Sequence, residues 1–233
     1  MKGWAFLGDA HLNPYKKGEV WEKFLLFCED PPEVLVLMGD VFDFWFGFRD
    51  TSSLEALYGG LEEAFLALKK ARTRLIFLEG NHDFGLNSKL FGLEVVSYRW
   101  EAVLDLEGLK VYLAHGDRAS GFPHNLPCLF LKNPFSQALI RAFGAKVVLP
   151  IGFWWAGRSS RRDRSPEVAF RLRDYALKKL ARGFDAVIMG HSHRPECLRF
   201  ELNGRPVVYL NVGSFSEGYF GVFRAGSFGL EKI

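Results

Sequence analysis

Five short polar clusters stand directly behind apolar runs in this 233-residue chain: Asp9-Ala10-His11, Gly39-Asp40-Val41-Phe42-Asp43, Gly80-Asn81-His82-Asp83, His115-Gly116-Asp117 and Gly190-His191-Ser192-His193. Carboxylate, imidazole and amide oxygen are borderline-to-hard ligands, suited to Mn, Fe, Zn, Co or Ni, and no thiolate is among them. Five of the six histidines fall in these clusters; only His124 lies outside. Taken singly, each cluster reads as turn or cap chemistry, Gly-Asp behind a strand as a turn and Asn-His-Asp as an Asx turn opening a helix. Taken together, in this order, they describe loops meeting at the carboxyl ends of strands, where α/β sheets collect their ligands. The glycines let the backbone turn sharply and approach an ion closely.

The elements that must position these loops are legible from periodicity. Trp4–Leu7, Val34–Met38, Leu75–Leu78 and Ala186–Met189 read as buried strands, and Val20–Cys28 as a helix stopped by Asp30-Pro31-Pro32. Leu54, Leu57, Leu61, Phe65 and Leu68 recur at helical spacing and predict one helix over Ser53–Ala71. Hairpins are expected around Glu107-Gly108, Asn203-Gly204 and Ala225-Gly226. From Gly116 to about Arg182 strand signals fade, and Ser136–Phe143 and Pro166–Leu180 read as helices. The expected architecture is α/β, a two-sheet β-sandwich flanked by helices in four layers. It forms a single domain over 1–233, with a helical insertion at about 118–182 acting as a cap.

The ordered set GDAH, GDVFD, GNHD, HGD and GHSH resembles the calcineurin-like metallophosphoesterases over nearly the whole chain. The resemblance implies two divalent metal ions, most naturally Mn2+, with Fe, Zn, Co or Ni as alternatives. Carried over by motif, Asp9, His11, Asp40 and His193 would hold one ion, and Asp40, Asn81, His115 and His191 the other. Asp40 would bridge them, since a carboxylate has two oxygens and such ions lie about 3.5–4 Å apart. His82 resembles the family's general acid or charge stabiliser, with a purely structural hydrogen bond as the other reading, and Asp83 is the candidate to orient it. Asp43 and Asp117 read as supporting or turn residues.

The motifs fix a reaction class, and the insertion must carry the substrate. Phe122–Trp155 is rich in large apolar side chains, and Arg158-Ser159-Ser160-Arg161-Arg162-Asp163-Arg164 follows directly. Arginine forks bind phosphate bidentately. Apolar helices beside them suit an acyl chain or a membrane surface, although helical apolar spacing also describes a plain core and a charge run a solvated face. With the aromatic run after Asp40 and the GHSHRP segment, this resembles the UDP-2,3-diacylglucosamine pyrophosphohydrolase branch of lipid A synthesis. That resemblance implies a lipid-nucleotide substrate met by Asn81, His82, Arg158, Ser160, Arg161 and Arg162. The best-known members of the branch carry GNRD where this chain has GNHD, and the Asn211-Val212-Gly213-Ser214-Phe215 segment also departs from theirs. The alternatives are a soluble phosphodiesterase or phosphatase of nucleotides or small phosphoesters, a non-catalytic binding scaffold, and a nuclease.

Composition narrows the classes. A formal net charge of +3 gives a weak electrostatic footprint, so no nucleic-acid partner is expected. Three scattered cysteines, Cys28, Cys128 and Cys197, suit buried thiols in a reducing compartment. No apolar run reaches the roughly 18 residues of a spanning helix. A cytoplasmic protein touching the inner membrane at most peripherally is the resulting expectation.

Overall fold

The computed structural model describes residues 2–123, 125–159 and 165–233, without the side chains of Arg158 and Ser159. One sheet has the order β14 (Ser227–Lys232), β13 (Tyr219–Arg224), β1 (Trp4–Leu7), β2 (Val34–Leu37), β4 (Arg74–Leu78), β7 (Leu93–Tyr98) and β6 (Lys89–Leu90). The other has the order β11 (Pro195–Leu202), β12 (Arg205–Val212), β10 (Ala186–Met189), β9 (Leu109–Ala114) and β8 (Glu101–Leu106). The short strands β3 (Trp45–Phe46) and β5 (Asp83–Phe84) pair with each other in the aromatic region. β1, β2, β4 and β7 run parallel in the first sheet, as do β9, β10 and β12 in the second, so their carboxyl ends share one edge in each.

Period-two alternation builds the layers. Phe6, Val36 and Ile76 point between the sheets and meet Val111, Leu113, Ile188 and Leu210. Leu7, Leu35, Leu37 and Phe77 point outward, onto Trp21, Phe24 and Phe27 of α1 (Glu19–Glu29) and Phe65 and Leu68 of α3 (Glu62–Lys70). Tyr112, Val187 and Met189 point out of the second sheet onto Val168, Leu172, Ala176 and Leu180 of α7 (Pro166–Leu180). The four-layer sandwich expected from the sequence is present.

Three expectations change in detail. The single helix over Ser53–Ala71 is two, α2 (Ser52–Leu57) and α3, because Gly59-Gly60 interrupts it and Gly60 adopts φ of 101°. The predicted helical segment at 118–182 divides: α7 lies in the outer layer of the second sheet, leaving α4 (Leu126–Leu131), α5 (Pro134–Phe143) and α6 (Ala145–Ser159) as the cap-like part. Gly144, with φ of 74°, turns α5 into α6 at 119°. The apolar face of this part divides as well. Leu131, Ile140, Val148, Leu149 and Phe153 pack on the first outer core, while Phe130, Phe135, Phe143, Ile151 and Trp154 are exposed.

Candidate metal centre

The five polar clusters follow β1, β2, β4, β9 and β10 and converge. Asp9, His11 and His193 place ligand atoms within 4.8 Å of one another, as do Asp40, His115 and His191, and as do His11, Asp43 and His82. Asn81 joins the second group, its Oδ1 3.3 Å from His115 Nε2. His191 Nδ1 stands 3.2 Å from the same nitrogen, and Asp40 Oδ2 3.6 Å. On the other side Asp9 Oδ1 is 3.4 Å from His193 Nε2.

Local backbone explains how the side chains reach inward. Asp9, His11, Asp40, His191 and His193 are five of the ten described non-glycine residues with positive φ, between 50° and 68°. Each such residue costs about 1–2 kcal/mol, and strain of this kind gathers at functional sites. Packing around them is tight: a Cβ on Gly80 would lie 2.1 Å from Asp40 Oδ1, and one on Gly39 2.7 Å from His115 Nδ1.

The polar partners set each ligand's direction. His115 Nδ1–H donates to the Met38 carbonyl (2.8 Å), which aims Nε2 at the cluster. Asp9 Oδ2 accepts from His191 N (2.8 Å), and Ser214 Oγ donates to the Asp9 carbonyl (2.7 Å). Asp40 Oδ1 accepts from His82 N (2.9 Å), which fixes the carboxylate plane and leaves Oδ2 facing His115. Asp9 Oδ1 and Asp40 Oδ2 are buried and accept no hydrogen bond. Carboxylate and imidazole atoms facing each other at 3.2–3.6 Å match ligands of one ion. Two ligands about 2.1 Å from a shared cation stand roughly 3.0–3.4 Å apart. The donor set therefore fits a pair of divalent cations.

Electrostatics agree. Burial drives the Asp9 carboxyl up to about 7, and burial with the Asp40 charge does the same to Asp83. Burial would also raise Asp40, but the His115 and His82 rings hold it well below its ordinary value. Burial lowers His11, yet the Asp43 hydrogen bond and the Asp40 and Asp9 charges carry it to about 9; His115, beside Asp40, rises to about 10 against the same penalty. His11 and His115 thus hold protons that offset the buried carboxylates, whereas burial lowers His82.

His82 is fully buried, with its Nδ1–H donating to the Asp43 carbonyl (2.8 Å) and Nε2 4.0 Å from Asp40 Oδ2. Trp155 of α6 lies over it, ring centroids 5.2 Å apart. Asp83 does not orient His82. Its Oδ1 accepts from Asp40 N (2.8 Å) and Gly80 N (2.9 Å), and its Oδ2 from Val41 N (2.6 Å) and Phe42 N (3.2 Å). It is the anchor of the Asp40–Phe42 loop, a role invisible without the fold. Sequence reasoning also missed Lys132, fully buried with Nζ 2.6 Å from Asp117 Oδ2; a lone lysine in the apolar LFLKNPF stretch was the available signal. The side chain of Arg158, with Ser160, Arg161 and Arg162, lies outside the described residues.

A metal-dependent hydrolase is the class that this sandwich and donor set define. The calcineurin-like phosphoesterase profile matches residues 5–195, and the chain belongs to that family, as a metal-dependent phosphoesterase. The chain is similar to the UDP-2,3-diacylglucosamine hydrolase of Aliivibrio fischeri, at 26% identity over 91% of each chain. It is also similar to the protein of that name from Aeromonas salmonicida, at 28% identity over 91% of this chain and 85% of the relative. Among solved structures, Vps29 of Entamoeba histolytica in complex with zinc aligns over 99% of this chain and 97% of its own, at 14% identity and a TM-score of 0.43.

Proposed function

We propose that the chain hydrolyses the diphosphate of UDP-2,3-diacylglucosamine, giving UMP and 2,3-diacylglucosamine 1-phosphate, a step of lipid A synthesis. The observation that carries the substrate is the exposed apolar face of α4, α5 and α6 beside the polar cluster, with Trp155 reaching over His82. The names of the relatives at 26% and 28% identity support the same reading. Among the described residues no single helix is long and apolar enough to cross a membrane, although α5 with α6 pass that test together as a bent pair. We take their outer face as a peripheral seat on the cytoplasmic leaflet.

Asp9, His11, Asp40 and His193 would hold one ion and Asp40, Asn81, His115 and His191 the other, with Asp40 shared by both; manganese is the proposed metal. Bound there, two divalent cations supply Lewis acidity toward the phosphoryl oxygens and lower the pKa of water. The chain's own groups do the rest. Met38 and the His191 amide fix the ligand orientations. The buried walls exclude bulk water, which strengthens every charge interaction inside. His82 is assigned to the substrate side, where it meets the charge that develops as the phosphorus–oxygen bond breaks. Arg158, Ser160, Arg161 and Arg162 are proposed to meet the diphosphate or sugar.

The test offers manganese-loaded protein UDP-2,3-diacylglucosamine in detergent micelles and, separately, bis(p-nitrophenyl) phosphate. UMP release from the lipid nucleotide, with weak turnover of the synthetic diester, is expected. Rapid cleavage of the diester with none of the lipid nucleotide would instead mark a phosphodiesterase or phosphatase of small phosphoesters.

A further inference from the structure

Lys132 ends α4, and its side chain is wholly buried. Its Nζ donates to two loops at once, to the Glu79 carbonyl at 2.7 Å and to Asp117 Oδ2 at 2.6 Å. Trp100 closes the remaining side, its ring centroid 4.9 Å from Nζ. Glu79 stands two residues before Asn81, and Asp117 two residues after His115. Those two side chains meet at 3.3 Å. The insertion thus ends its first helix in a cation that grips the roots of both loops, one from each sheet. A buried ammonium so held demands its partners' geometry, because any displacement leaves charge unsatisfied in a dry site.

We infer that Lys132 is a positioning residue for the ion shared by Asn81 and His115, coupling the helical insertion to that ion and leaving the Asp9–His193 side untouched. The inference rests on the two-ion reading above. Lys132 touches neither an ion nor the substrate; it sets the separation of two ligands through the peptide carbonyl ahead of one and the carboxylate behind the other. Partners of this kind, one step removed from a metal, change affinity by roughly 10–100-fold when removed. The coupling is reciprocal: filling that ion site must also hold α4 in place.

The experiment strips the whole protein of metal and titrates it with manganese. It compares wild type, Lys132→Arg, and a double variant, Lys132→Met with Asp117→Leu, that removes the pair without stranding a lone charge. Wild type is expected to take two ions per chain with the paramagnetic signature of a coupled pair. The folded double variant should keep one ion at wild-type strength and bind the second roughly 10–100-fold more weakly, showing an isolated-ion spectrum at intermediate loading. Lys132→Arg, which keeps a charged donor, should recover part of the second site. Two ions bound as tightly as in wild type, or both weakened equally, would overturn the inference. Fewer than two ions on wild type would defeat the two-ion reading itself. If the double variant does not fold, hydrogen exchange on wild type decides. Manganese should slow exchange at residues 128–133 relative to the β13–β14 hairpin, and unchanged rates there would refute the coupling.

Discussion

Gly80 shows how little room the cluster leaves at single positions. Its missing side chain is the space occupied by Asp40 Oδ1 and the Asp40 amide. Gly80→Ala should therefore displace the Asp40 carboxylate and lower turnover by about 100-fold, as a 1 Å misplacement can. Steady-state kinetics beside a thermal melt separates this from unfolding. His82 behaves differently, because its ring is fixed by the Asp43 carbonyl and its Nε2 stands 4.0 Å from Asp40 Oδ2, beyond hydrogen-bond reach. For His82→Ala we expect kcat to fall by roughly 100-fold or more while two manganese ions stay bound. Loss of metal in that variant would move His82 into the ligand set. The proposed ligand residues were legible in the sequence because each sits one to four positions past a readable strand. The duty of Asp83 was not, since its amide donors at Asp40, Val41 and Phe42 lie more than 40 residues away.

Elements were legible where chemistry is local. Asn203-Gly204 and Glu107-Gly108 both show paired positive φ, which short-range turn preference anticipates. β7 escaped because Glu94, Val96 and Ser97 are exposed, so Leu93–Tyr98 carries no buried apolar run. α4 and α6 escaped because Pro127, Pro150 and Gly152 punctuate them, and packing outweighs propensity: Gly152 lies against the Phe44 ring, where a Cβ would stand 2.6 Å from it. The outward side of α4 and α5 invites a direct test. Phe130 and Phe135 are 67% and 78% exposed. Replacing both with Ser should change folding stability by no more than about 0.5 kcal/mol each. Hydrolysis of the micellar lipid nucleotide should nonetheless fall, while bis(p-nitrophenyl) phosphate turnover stays the same. Equal loss on both substrates would mean that the helices serve the fold alone.

At the scale of the molecule, the buried charges link folding to pH. Asp9 and Asp83 are raised from 3.8 to about 7, His11 and His115 from 6.5 to about 9 and 10. In all four the folded metal-free state holds protons longer than the unfolded chain. Their stabilisation is complete below the unfolded values and is lost as pH rises through the folded ones, from about 4 to about 10. Metal ligation requires the opposite protonation, so ion binding strengthens over the same range. The rise in Tm that manganese gives over EDTA-treated protein should be larger at pH 8.5 than at pH 6, by differential scanning calorimetry. A rise independent of pH would contradict the charge balance described for the cluster.

Each proposed ion draws ligands from both sheets, Asp9 and Asp40 from one, His191 and His193 from the other. The hydrocarbon layer of Phe6, Val36, Ile76, Ile188 and Leu210 therefore acts as a caliper that sets the gap across which catalysis is assembled. Substitutions there have to conserve thickness as well as greasiness, and a methylene gained or lost far from solvent would be felt as a change of metal chemistry before it was felt as a loss of folding.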